Sequence, residues 1–215
     1  MSDEKRPYRM KRRAELEEET RRRIAASAAE LHELVGPART TISAIADRAG
    51  VRRSTVYRHF PDEPALFRAC SAHWYAANPH PDVERWRGIR DPDERLAVAL
   101  EQLCSYYRGT QAMMKRLLRD ESLVAPVADG LRRGYYPFLE DIAGILMAGR
   151  GLRGHAARRT RAAIAHAVAF PTWRSLTEAG LTDAEAVDVM RAAVERARHQ
   201  GRARRSTDYG LRTTD

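Results

Sequence analysis

An all-α fold is predicted for this chain by three observations. Apolar residues recur at helical spacing through most of the 215 residues, no segment alternates as a half-buried strand would, and the segment ends carry caps, prolines and glycines in the positions that start and stop helices. The architecture they predict is an N-terminal three-helix head containing a helix-turn-helix, followed by a larger helical body, about nine helices in all. A chain of this length can support a small head on a larger body, each with its own core.

Residues 1–13, with Arg6, Arg9, Lys11, Arg12 and Arg13 around Pro7 and Tyr8, lack apolar periodicity and read as a flexible basic arm. Ile24, Ala28, Leu31 and Val35 then follow helical spacing, and Gly36 supplies a left-handed stop. Thr41 is placed to cap a short helix that turns Ile42, Ile45, Ala46 and Ala49 inward and ends at Gly50. Val51 leads into a second short helix whose Val56 and Phe60 lie four apart, on one face. Residues 14–67 thus form the expected head.

Asp62 caps the next helix, with Leu66, Phe67, Cys70 and Trp74 on its buried side, and 78–90 reads as irregular because of Pro79, Pro81 and Gly88. Asp91, Pro92 and Glu94 make a strong helix start ahead of Leu96, Leu100, Leu103 and Tyr107; Gly109 and Thr110 open a further helix. A long helix is expected over 124–147, loosened by Gly130, Gly134 and Pro137, then a loop at 149–154 and an Ala-rich helix over 158–178 kinked at Pro171. Thr182 and Glu185 have capping-box spacing at the start of the last helix. The body should span 68–200, and 201–215 reads as a disordered basic tail.

Composition narrows the function. The chain is 43% apolar and 31% charged, with no apolar run long enough for a bilayer and no leader pattern, so a cytoplasmic location away from membranes is expected. Cys70 and Cys104 lack any CxxC or Cys/His spacing, so neither a disulfide framework, a metal site nor a cofactor is expected. An enzyme is disfavoured, since there is no Gly-rich phosphate loop, no HExxH, no GxSxG and no clustering of histidines. The net charge of +9 is unevenly placed: residues 1–60 hold 14 Lys/Arg against 9 Asp/Glu, and 196–215 hold 6 against 2. Positive ends around a balanced middle suit a nucleic-acid contact at the first end.

In a helix-turn-helix the second helix enters the major groove, so it needs apolar residues on one side and donors on the other. Residues 52–60 divide that way. Val56 and Phe60 anchor the helix to Ile24, Leu31 and Ile45, leaving Arg53, Ser54, Thr55, Tyr57 and His59 to meet DNA. A helical adaptor that binds no DNA is the alternative, but it would need no such donor face. The run Thr40-Thr41-Ile42-Ser43-Ala44-Ile45-Ala46-Asp47-Arg48-Ala49-Gly50-Val51, continued by Thr55-Val56-Tyr57-Arg58-His59-Phe60, resembles the head of the TetR family of transcriptional regulators. The resemblance implies a homodimer reading a near-palindromic double-stranded operator, a repressor released by a small effector. It assigns Ser43, Arg53, Ser54 and Tyr57 to base-facing positions and Thr41, Thr55 and His59 to phosphate contacts. Two residues depart from the pattern: Arg52 replaces a small capping residue and adds a candidate DNA contact, and Glu63 replaces a phosphate-contacting lysine.

Tyr106, Tyr107, Met113, Met114, Leu117, Tyr135, Tyr136, Phe138 and Met147 fall on the helices expected to enclose an apolar effector, although such stripes are also ordinary core. Ala162, Ala163, His166, Ala167, Trp173 and Leu176, with Val187, Met190 and Val194 on the last helix, form the expected dimer interface. Burial of that stripe within one chain is the competing reading.

Overall fold

The computed structural model describes residues 5–199, and no strand occurs among them. They form α1 (Lys5–Leu34), α2 (Ile42–Ala49), α3 (Arg53–His59), α4 (Glu63–Ala77), α5 (Val83–Arg87), α6 (Pro92–Asp120), α7 (Ala125–Gly130), α8 (Tyr136–Met147), α9 (Gly154–Ala167), α10 (Phe170–Glu178) and α11 (Asp183–His199). A 3-10 turn occupies Pro37–Arg39 and a π turn Leu131–Tyr135. The all-α class with a helix-turn-helix head is as the sequence predicts; the subdivision differs.

Four differences have local causes. Residues 5–13, expected as an arm, are the opening turns of α1; their Arg/Lys-rich sequence is compatible with helix even though it has no face to bury. The helices expected on either side of Gly109 are one, because a single interior glycine costs only about 1 kcal/mol and a continuous apolar stripe spans it. The helix expected over 124–147 is instead α7, the π turn and α8, with Pro137 in the first turn of α8, where its missing N–H is tolerated. Pro171 likewise opens α10 rather than kinking one long helix. The expected tail at 201–215 lies outside the described residues.

The described chain divides into two compact units, one of residues 5–80 with Thr110–Arg132, the other of Pro81–Gly109 with 133–199. The expected boundary at 67/68 therefore moves, because Leu66, Cys70 and Trp74 of α4 and Met113 of α6 all enter the first core, beside Ile24, Ala28, Ile45, Val56 and Phe60.

In that first unit Gly36, at φ 94°, turns the chain from α1 into the 3-10 turn. A side chain there would be strained by the backbone angle and would also run into the Arg119 guanidinium and the Asp120 carboxylate. Asp120 is buried, accepts a 3.0 Å hydrogen bond from the Ala38 N–H, and pairs with Arg119, which donates to the Val35 carbonyl at 3.0 Å. Asp120 thus ties the end of α6 to the α1–α2 connection.

The second unit is pinned by buried polar contacts. Arg95 is buried, and its guanidinium donates to the carbonyls of Ile89, Ile145 and Ala148 at 2.7–2.9 Å, so its charge rests on main-chain oxygens, among them those at the C-terminal end of α8. The Tyr107 hydroxyl donates to the Val168 carbonyl at 2.5 Å, and the Tyr135 hydroxyl accepts from the Phe170 N–H at 3.2 Å. Asp183 accepts from Trp173 Nε1 at 2.8 Å and takes both arms of Arg108, while Thr182 and Glu185 complete the predicted capping box. No described helix is long and apolar enough to cross a membrane.

Candidate nucleic-acid interface

The helix-turn-helix is assembled by local chemistry. Thr41 takes an extended conformation and its Oγ1 accepts from the Ala44 N–H at 3.1 Å, which starts α2. Gly50, at φ 64°, ends α2 in the left-handed region and makes the turn, and the Val51 N–H returns to the Ala46 carbonyl at 3.0 Å. Arg52 is extended and its side chain makes no capping bond, so α3 starts on the main chain alone, with the Thr55 N–H donating to the Arg52 carbonyl at 2.8 Å.

Burial then sorts the residues of α3 into two faces. Val56 and Phe60 are buried against Ile24 and Ile45, with Leu31 packed at the margin, as their spacing requires. Arg52, Arg53, Ser54 and Tyr57 are exposed, as are Thr41 and Ser43 on the preceding helix; Thr55 and His59 are half-buried. All eight candidate DNA residues therefore lie on one helix-turn-helix, six of them exposed. Arg53 donates to the Tyr57 hydroxyl at 3.2 Å and its guanidinium lies 5.7 Å from that ring, so the two side chains form a preorganised pair four residues apart. No carboxylate sits on α3 itself, which with its cap carries Arg52, Arg53 and Arg58.

Arg21 is a contributor that sequence reasoning missed. From α1 its guanidinium donates to the His59 carbonyl at 3.0 Å and lies 4.6 Å over the Phe60 ring, bracing the end of α3. Its position one turn before buried Ile24, on the same side of α1, was the available signal. His59 Nε2 is buried without a partner, and desolvation holds the imidazole below its ordinary pKa, with Arg58 adding to the shift. His59 is therefore neutral near pH 7.

The expected effector residues divide between the two units. Met113 enters the core of the first unit and Leu117 packs against it, whereas Tyr106, Tyr107, Tyr135, Tyr136, Phe138 and Met147 belong to the second unit. Tyr107 and Tyr135 spend their hydroxyls on main-chain groups, and Tyr107 stacks edge-on with Phe170 at 5.5 Å, which makes them core. A cavity of about 470 Å³ opens instead in the first unit, and none of the nine expected residues lines it. Among the described residues no group of three or more His, Cys, Asp or Glu could hold a metal ion.

Five of the nine residues expected at a dimer interface are covered by their own chain. Val187, Met190 and Val194 are buried within the single chain, where α11 packs along α9, and Ala167 and Trp173 are buried with them. A stripe of one-in-three-or-four spacing can cover only one neighbour, and here that neighbour is internal. Ala162 and His166 remain exposed, with Ala163 and Leu176 half-buried.

Residues 24–70 match the family model described as bacterial regulatory proteins, tetR family. The match covers the helix-turn-helix head, not the body. A solved Clostridium perfringens protein described as a "putative fatty acid metabolism regulator" shares the fold at TM-score 0.59 and 15% identity, over 80% of this chain and 96% of that one. No curated protein matches. The matched span contains all eight candidate DNA residues.

Proposed function

We propose that this protein belongs to the TetR family and is a sequence-specific repressor that binds a near-palindromic operator as a homodimer and is released by a small apolar effector. The observation that carries the DNA reading is the two-sided α3, with Val56 and Phe60 buried and Arg53, Ser54 and Tyr57 exposed. Ser43, Arg53, Ser54 and Tyr57 then face bases, with Arg52 adding a base or phosphate contact, while Thr41, Thr55 and His59 hold the backbone. Dimerisation supplies the second half-site that a specific operator needs, because a single small head buries too little surface for tight discrimination.

The deciding experiment is a mobility shift with operator-length DNA from the gene's own upstream region, against random DNA of equal length. A shift confined to the upstream fragment supports the reading, and equal retardation of both, or none, refutes it. Sedimentation should give about twice the 24.3 kDa chain mass in moderate salt.

A further inference from the structure

The cavity in the first unit is walled by α2 through Thr41, Ile42 and Ile45, by α4 through Glu63, Leu66 and Phe67, and by the 123–126 segment between α6 and α7. Its volume of about 470 Å³ falls within the range of small-molecule sites, and its walls are mostly apolar with a few polar groups, as such sites require. Leu123, at its edge, is 71% exposed, the largest exposure of any large hydrophobic side chain among the described residues, so apolar surface stands uncovered there. Two titratable side chains line it, His32 and Glu63.

These two differ in charge. His32 is buried, with Nδ1 3.6 Å from Cys70 Sγ, and burial lowers its pKa to about 4, so the floor is neutral near pH 7. Glu63 is exposed at the first position of α4 and engages in no hydrogen bond or ion pair among the described residues. An apolar hollow with one unpaired carboxylate and no basic side chain in its lining has a definite complement: an apolar body carrying a single positive charge.

We infer that this cavity is a binding site for a small amphiphilic organic cation, its apolar body lying against Phe67, Leu66, Ile42 and Val124 and its ammonium group on Glu63. The site lies wholly within the first unit and is separate from the apolar effector proposed above. Only one consequence rests on the DNA reading. Thr41 shares the wall, so an ammonium placed there sets positive charge beside a phosphate contact and raises operator affinity, and linkage makes the two affinities rise by the same factor.

Three probes of one shape and different charge test the site on the protein without DNA: 4-phenylbutylammonium, 4-phenylbutanol and 4-phenylbutanoate, each titrated by calorimetry at pH 7. The cation should bind about tenfold more tightly than the alcohol, and the carboxylate more weakly than either. Glu63→Gln, a surface change, should bring cation and alcohol to equal affinity, and Ala125→Trp, at the exposed edge, should weaken all three. Equal binding of the three probes, a cation preference that survives Glu63→Gln, or no binding at all overturns the site. Operator affinity left unchanged by saturating cation overturns the coupling alone, and failure of the mobility shift described above leaves the calorimetric result standing.

Discussion

The helix-turn-helix and the α9–α11 pair are both helices joined by short connections, yet their residues do opposite things with the same spacing. On α3 one face is buried and the other is left open with arginine, serine and tyrosine side chains. On α11 the apolar stripe of Val187, Met190 and Val194 is consumed inside the chain. An apolar stripe therefore reports that something covers it, not what does. The informative face is the one folding leaves uncovered, and on α3 that face has donors in excess of any need of the fold.

Perturbations rank by how deeply they cut into this contrast. Phe60→Ala removes the anchor shared by α3 and Arg21 and should cost about 3–5 kcal/mol in urea unfolding of the first unit, abolishing operator binding with it. Retained binding would mean that α3 is held by something other than its apolar face.

Acid should attack the same unit through His32. Its pKa is lowered to about 4 from an unfolded value of 6.5, so its contribution is complete above about pH 6.5 and is lost as pH falls towards 4. The loss amounts to about 3 kcal/mol, because the unfolded chain takes up the proton first. Denaturant titrations at pH 7 and pH 4.5 measure it, and His32→Gln should flatten that part of the pH profile.

A cut on the other side of the contrast is Arg95→Ala, which strands three main-chain oxygens in the second unit and should cost about 2–3 kcal/mol of stability. Operator affinity of the still-folded protein should stay within about threefold, since none of the candidate DNA residues belongs to the second unit. Arg53→Ala should do the reverse, leaving stability within about 0.5 kcal/mol while costing about 1–3 kcal/mol on the operator and much less on random DNA. A folded Arg53→Ala protein that kept both affinity and preference would place Arg53 outside the groove. The smallest effect concerns α1: replacing Arg9, Lys11 and Arg12 by Ala should lower the salt slope of DNA binding by up to about 2.7 if each neutralises a phosphate.

The head was legible because its signals are local and agree with one another. Thr41, Gly50, Asp62 and the Val56/Phe60 pair each act within one turn of themselves, and the structure realises every one. What failed depended on distant partners. Gly109 could be judged only by what flanks it across a whole helix, and the destination of the α11 stripe only by knowing that α9 lies beside it. Glu63 was conspicuous in sequence as a departure, but the hollow behind it is built by 123–126, some sixty residues away in sequence. Arg21 escaped because only its spacing from Ile24 sets it apart from Arg22 and Arg23.

The uneven dress of α1 has one last consequence. Residues 8–19 are exposed on every side, whereas Ile24, Ala25, Ala28 and Ala29 are buried. An isolated helix of such length is marginal in water, so the first turns open and close by helix–coil fluctuation, while the amides beyond Ile24 wait for the unit itself to open. Deuterium should enter α1 in two populations, quickly up to Thr20 and slowly from Ile24 onward, with the border falling inside an unbroken helix.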